Sequence, residues 1–125
     1  MKERALLLQI SFSTRQSTYS DFGGNSTWDR VKTAVKVSNV DGSTTETIDN
    51  RRNNNTLLNR ETITISGNAL IKTIATDFNG DGLADNTVLT QTTLNTNGSS
   101  QVFAKQISLN GTVILTQWIN VTANG

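Results

Sequence analysis

The chain repeats itself without gaps when its 125-residue sequence is shifted by 56 positions. Asp21–Asp29 then falls on Asp77–Asp85, and Asn39–Ser43 falls on Asn95–Ser99. The matches concentrate at turns, where backbone geometry limits the residues that fit, whereas the segments between turns differ. The self-match predicts a single β-repeat region, with a partial repeat at residues 1–20, a repeat at 21–76 and an incomplete repeat at 77–125.

Turn signals divide each repeat into strands. In the second half of the chain they recur every 13 to 16 residues, and two of them are Asn97-Gly98 and Asn110-Gly111. Asn-Gly favours tight hairpin turns because both residues accept positive φ. Strand-like runs lie between the signals, at residues 61–66, 70–76, 87–94, 101–107 and 112–121. Since no run has a helical period, we predict an all-β antiparallel meander built from about 56-residue repeats of roughly four strands each.

Alternation within two runs predicts which side chains share a sheet face. One predicted row is Val31, Thr33, Val35 and Val37, with Lys32 and Lys36 on the opposite face. The other is Val113, Leu115, Ile119 and Val121, with Ile114 and Trp118 opposite. Many inward positions hold Thr or Ala, so we expect a thin core supplied mainly by aromatic side chains: Tyr19, Phe22, Trp28, Phe78, Phe103 and Trp118.

Composition narrows the chemistry. The net charge is +1, so no basic face for nucleic acid is expected. The sequence has no Cys or His, which excludes disulfides and zinc-type sites and leaves oxygen ligands. No apolar run is long enough for a transmembrane helix and no Ser lies in a nucleophile-elbow context, so we expect neither a membrane span nor an enzyme. Residues 1–10 are predicted to form a strand rather than a signal peptide.

An acidic loop carries the clearest chemical signal: Asp77-Phe78-Asn79-Gly80-Asp81-Gly82-Leu83-Ala84-Asp85, or D-x-N-x-D-G-x-x-D. Oxygens at alternate positions can turn toward one point, and Gly82 permits the sharp bend that brings the Leu83 carbonyl round. The pattern predicts a Ca²⁺ site with side-chain ligands Asp77, Asn79, Asp81 and Asp85 and a backbone ligand from Leu83. Val88 stands where an EF-hand has its Glu, so we expect modest affinity. The alternative is a turn without an ion, because Asp, Asn and Gly form turns unaided.

The first repeat contains a degenerate copy of this loop. Asp21 and Asp29 keep the outer carboxylates, whereas Gly23 replaces Asn79, Asn25 replaces Asp81 and Ser26 replaces Gly82. We therefore predict a weaker second site at Asp21, Asn25 and Asp29, and expect Trp28 to pack on the sheet.

The acidic loop, followed by Asn97-Gly98-Ser99, Asn110-Gly111 and Ala123-Asn124-Gly125, resembles Thr-rich repeats of very large secreted or surface bacterial proteins, described as calcium-binding, haemolysin-type or RTX-like. The resemblance covers nearly the whole chain, although the RTX nonapeptide itself is missing. It implies an extracellular or cell-surface location and a structural or adhesive role supported by Ca²⁺. Because so short an array leaves unpaired edge strands, the expected partners are neighbouring repeats of a longer chain or other copies in a homo-oligomer.

A second hypothesis is a ligand- or glycan-binding module, such as a fragment of an FG-GAP/VCBS-like β-propeller. A unit of about 56 residues and four strands also suits one propeller blade. This hypothesis predicts that the strands of each repeat form separate blades. A cell-surface glycan would then stack on aromatic rings such as Trp118.

Overall fold

The computed structural model describes residues 12 to 122. They form eight strands: β1 (Phe12–Ser20), β2 (Arg30–Ser38), β3 (Thr44–Arg52), β4 (Leu57–Ile65), β5 (Ile71–Asp77), β6 (Asn86–Leu94), β7 (Ser100–Ser108) and β8 (Val113–Val121). All lie in one sheet in sequence order, each antiparallel to the next. The predicted all-β antiparallel meander is confirmed, and the described residues include no helix able to cross a membrane. The strand predicted at 1–10 lies outside the described residues.

The strand positions keep the offset found in the sequence. β6, β7 and β8 begin and end 56 residues after β2, β3 and β4. A register shift between Asn50 and Arg51 recurs at the same offset, between Gln106 and Ile107. Since the strand sequences differ, the common framework comes from the turns, where specific residues adopt positive φ.

The two halves of the chain join in one continuous sheet because β4 pairs with β5. Arg60 lies opposite Asp77, and Ile63 lies opposite Ile74. The described strands therefore do not form the separate blades that the propeller hypothesis requires.

The sheet is a single layer without a buried apolar core in the part of the chain described. The prediction that aromatic side chains supply a core is therefore wrong, since Tyr19, Phe22, Phe78 and Trp118 are each more than half exposed. An open meander has no second layer to cover its faces, so apolar side chains pack only against neighbours on the same face. Two such contacts join rings: Tyr19 with Trp28 at 5.4 Å and Phe103 with Trp118 at 4.4 Å between centroids.

The strand register tests both predicted rows. Val31, Thr33, Val35 and Val37 alternate with Lys32 and Lys36 along β2, as predicted. On β8 the register shift pairs Val113 with Ile107, whereas Leu115 pairs with Gln106 on the other face. Val113 therefore leaves the predicted row, because the bulge places one extra residue in β8 and reverses the alternation beyond it.

Candidate functional site

The loop between β5 and β6 is closed around the carboxylate of Asp77. Gly80 and Asn79 donate their backbone N–H groups to Asp77 Oδ1, at 2.7 and 3.1 Å. Gly82 donates its N–H to Asp77 Oδ2 at 2.8 Å. Asp77 is only 4% exposed, the lowest value among the described residues. The first residue of the D-x-N-x-D-G-x-x-D pattern thus organises the backbone of the loop.

The last residue of the pattern ties the two ends of the loop together. Asp85 Oδ2 accepts the N–H of Phe78 at 2.7 Å, and the Asp85 N–H donates to the Thr76 carbonyl oxygen at 2.8 Å. Between these ends, Asn79 Oδ1 accepts the Asp81 N–H at 2.9 Å and Asp81 Oδ1 accepts the Leu83 N–H at 2.8 Å. These are local Asx turns, which need no ion.

Electrostatics keep Asp77 ionised within the loop. Burial acts to raise its pKa, but the backbone N–H groups of Gly82, Gly80 and Asn79 that donate to its carboxylate outweigh burial, and the net pKa is lowered. Backbone N–H groups stabilise the charged form of a carboxyl because they point their positive ends at it. The negative charge of Asp77 is therefore stabilised by the loop itself.

Two glycines permit the path of the loop, for different reasons. Gly80 has φ 78° and Gly82 has φ 89°, both in the left-handed region that favours glycine. A Cβ on Gly80 would also overlap the carbonyl oxygen of Leu57, because the loop packs against the start of β4. A Cβ on Gly82 would meet no atom within 4 Å.

The first-repeat loop, between β1 and β2, has the same framework. Asp21 Oδ1 accepts the N–H groups of Gly24 at 2.8 Å and Gly23 at 3.1 Å, and Asp21 Oδ2 accepts the N–H of Ser26 at 2.9 Å. Asp29 Oδ2 accepts the N–H of Phe22 at 2.7 Å. Ser26, the counterpart of Gly82, adopts φ 67° without being glycine. The residues that build the framework are therefore present in both loops.

The oxygen atoms of the second loop can be compared with the ligands that Ca²⁺ prefers. Carboxylate, amide and carbonyl oxygens are the ligands that Ca²⁺ prefers. Within residues 12 to 122, Asp81 Oδ2 and Asp85 Oδ1 accept no hydrogen bond, and so both atoms remain available. However, no three acidic, His or Cys side chains of the described part come together closely enough to hold a metal ion. The donor chemistry fits Ca²⁺, but the loop does not gather its three carboxylates around one point.

An ion-pair cluster beside the loop was not predicted. Arg60 donates from Nε and a terminal nitrogen to the two Asp49 oxygens, at 2.6 and 2.8 Å, and Arg51 adds a third contact at 3.1 Å. The hydrogen bond from Arg60 is the main reason that the pKa of Asp49 is lowered, with Arg51 also contributing. Asp49 and Arg60 lie opposite each other on β3 and β4, next to the bulge. Their opposite charges could have been read from the sequence only with the register known.

Comparison with known proteins gives no further guide to the site. No protein-family model, curated protein or solved structure matches the chain.

Proposed function

We propose that the chain is a structural or adhesive repeat segment of a large secreted or cell-surface bacterial protein, with Ca²⁺ bound by the second acidic loop. Its partners on this proposal are neighbouring repeats of a longer chain or further copies of itself. The repeat framework supports the structural part, because strand bounds, bulges and loops recur at one offset although the strand sequences differ.

The observation that carries the calcium proposal is the difference between the two loops. The first loop closes with Asn25 and Ser26 where the second has Asp81 and Gly82. Asn25 Oδ1 accepts the N–H of Thr27 at 3.0 Å, just as Asp81 Oδ1 accepts that of Leu83. The framework therefore does not require a carboxylate at this position. Asp81 therefore adds a carboxylate that the loop does not need for closure, and its Oδ2 accepts no hydrogen bond within residues 12 to 122 and is an oxygen ligand of the kind that Ca²⁺ prefers.

Calcium would stabilise the folded state by mass action, since the loop is formed only there. With a Kd of about 1 mM, typical of extracellular modules, about 10 mM Ca²⁺ would add about 1.4 kcal/mol to the free energy of unfolding. Binding would require Asp81 and Asp85 to turn toward Asp77, since the three carboxylates do not lie close enough together to hold a metal ion.

Thermal unfolding with and without Ca²⁺ tests the proposal. We expect the melting temperature to rise in millimolar Ca²⁺, to return with EGTA, and to respond less to Mg²⁺. The matched variant is Asp81→Asn, which gives the second loop the side chain of the first and should abolish the response. Backbone amide shifts at Phe78 and Leu83 during a Ca²⁺ titration would locate the site. An unchanged melting temperature together with unchanged amide shifts would refute calcium binding.

A glycan ligand is the second candidate, and the exposure of the aromatic rings favours it. Trp118 packs on Phe103 and is nevertheless 58% exposed, so much of its surface is accessible to a sugar. Binding to a glycan array that disappears in Trp118→Ala, while Phe22→Ala still binds, would support this function. No binding by the parent chain would refute it.

A further inference from the structure

The last strand, β8, is more exposed than β4, its counterpart in the first repeat. All nine residues of β8 are exposed, whereas eight of the nine residues of β4 are half-buried. β4 lies between β3 and β5, but β8 pairs only with β7 within residues 12 to 122. A second neighbouring strand therefore accounts for the protection of β4, and β8 has no second neighbour among the described residues.

The sequence of β8 does not protect this edge. Six of its nine residues are apolar and none is charged or proline. Ile114, Leu115 and Trp118 are each more than half exposed. Soluble proteins usually guard a long edge strand with charges, proline or a covering segment, because its unpaired N–H and C=O groups accept another strand. The only such feature here is the bulge opposite Gln106 and Ile107, at the start of the strand.

The chain contains a strand suited to cover this edge. In the sheet, β5 covers the edge of β4. Both β5 and β1 directly precede an acidic loop, since β5 ends at Asp77 and β1 ends just before Asp21. β1 is therefore the counterpart of β5, as β8 is the counterpart of β4. Among the described residues the outer edge of β1 also has no partner.

We propose that β8 pairs with β1 of a second copy of this chain, antiparallel and in the register of β4 and β5. The observed pairs Glu61 with Thr76 and Thr64 with Thr73 then become Gln117 with Ser20 and Asn120 with Ser17. Each copy adds its β1 to the β8 of the next, and the sheet extends from molecule to molecule. The contact is heterologous, so it forms open chains of copies rather than a closed dimer.

The side chains across this contact are compatible. In the same register, Thr62 opposite Ala75 becomes Trp118 opposite Tyr19, two aromatic residues at adjacent positions on one face. Cross-strand aromatic pairs stabilise antiparallel sheets. The single charge of β1, on Arg15, lies opposite Thr122 and so falls beyond the end of β8. No like charges meet across the contact.

Disulfide cross-linking tests the proposal, and the chain suits it because it has no Cys of its own. Ser17→Cys and Asn120→Cys are prepared separately, mixed in equal amounts and oxidised in EGTA, so that the result does not depend on calcium. We expect a mixed disulfide dimer in several-fold excess over the dimer from either variant alone. Thr116→Cys mixed with Ser17→Cys is the register control, and should give little product. Far-UV circular dichroism checks that each variant keeps the parent sheet.

Sedimentation of the parent chain gives an independent measurement. We expect its average mass to rise with concentration, and Thr116→Lys/Asn120→Lys to remain monomeric because it places two charges on the β8 edge. A parent chain that stays monomeric, with no mixed disulfide, would overturn the proposal. It would also be overturned if Asn120→Cys or Gln117→Cys alone formed dimers, since β8 would then pair with β8. A parent chain that self-associates without giving the mixed disulfide would mean that the β1 edge is closed to a second copy, which also overturns the proposal.

Discussion

The two acidic loops share a framework and differ at the positions that a cation would need. In both, one Asp accepts three backbone N–H groups and a second Asp, eight residues later, ties the ends of the loop. The second loop alone adds Asn79, Asp81 and Gly82. Loop closure therefore depends on the Asp residues that both loops share, whereas the proposed ion binding would also need the residues that only the second loop has.

The two repeats also differ in the charge of one sheet face although their strands are arranged in the same way. Six charged residues lie on one face of β2, β3 and β4, and all six counterparts on β6, β7 and β8 are uncharged. The charged set is Arg30, Lys32, Lys36, Glu46, Arg52 and Glu61, and the uncharged set is Asn86, Val88, Thr92, Val102, Ser108 and Gln117. Both sets occupy the same strand positions, so the strand arrangement does not depend on them.

Substitution of the two glycines of the second loop should give the largest difference in the free energy of unfolding. Gly80→Ala should lower the free energy of unfolding by about 3 kcal/mol, because it adds left-handed strain and overlap with the Leu57 backbone. Gly82→Ser should cost about 1 kcal/mol or less, since Ser26 already adopts this conformation in the first loop. Urea unfolding measures both. Equal losses would show that packing against β4 does not matter.

The next comparison separates Asp77, which closes the loop, from Asp81, whose carboxylate the loop does not need for closure. In EGTA, Asp77→Ala should lower the melting temperature clearly more than Asp81→Ala, because only Asp77 accepts the N–H groups of Asn79, Gly80 and Gly82. Asp21→Ala should resemble Asp77→Ala in direction. If Asp81→Ala proved the more damaging substitution without calcium, the shared-framework interpretation would be wrong.

Giving the first loop the residues of the second tests whether those residues are sufficient for Ca²⁺ binding. The triple variant Gly23→Asn/Asn25→Asp/Ser26→Gly gives this loop the ligand set of the second. We expect calorimetry to show two bound Ca²⁺ instead of one, and about 10 mM Ca²⁺ to add up to about 1.4 kcal/mol of further stability. Gly23→Asn alone is the control. A triple variant that binds no more Ca²⁺ than the parent would show that these three positions do not determine binding.

The ion pair between Asp49 and Arg60 should make the free energy of unfolding depend on pH under acidic conditions. The pKa of Asp49 is lowered in the folded state by Arg60, and so its contribution is fully present above the unfolded value of about 3.9. That contribution is lost as the pH falls through the lower, folded pKa. Asp49→Asn should therefore cost about 0.5–1 kcal/mol near pH 7 and progressively less below about pH 4. Lys105→Gln, at the counterpart position, should lack this pH dependence, and urea unfolding across pH measures the difference.

The smallest expected effect concerns the charged face. Lys32→Val installs the residue of the second repeat on an open face, and should change the free energy of unfolding by no more than about 0.5 kcal/mol. Its solubility should fall, because it enlarges an exposed apolar surface. A large loss of stability would mean that the charges of this face hold the strands in place.

Most of the strands could be predicted because their signals are local. The predicted runs at 87–94 and 101–107 fall within one residue of β6 and β7 at each end, since adjacent turns fix where those strands start and stop. The prediction of an aromatic core was wrong because burial depends on whether a second layer covers the face of the sheet. The alternation of residues along a strand does not contain that information. The Asp49–Arg60 pair was missed because a bulge changes the register between strands that lie close in sequence.

Residue order alone accounts for the offset, the turns, the antiparallel order of neighbouring strands and the two acidic loops that begin at Asp21 and Asp77. These features depend on φ preferences and on hydrogen bonds between residues close in the chain. The tertiary structure adds that β4 joins β5 in one layer and that both faces of the sheet remain open within residues 12 to 122. It also decided that the Asp77 carboxylate faces backbone N–H groups rather than two other carboxylates. Such outcomes depend on how separate segments meet in space, which a pattern of residue types along the chain does not specify.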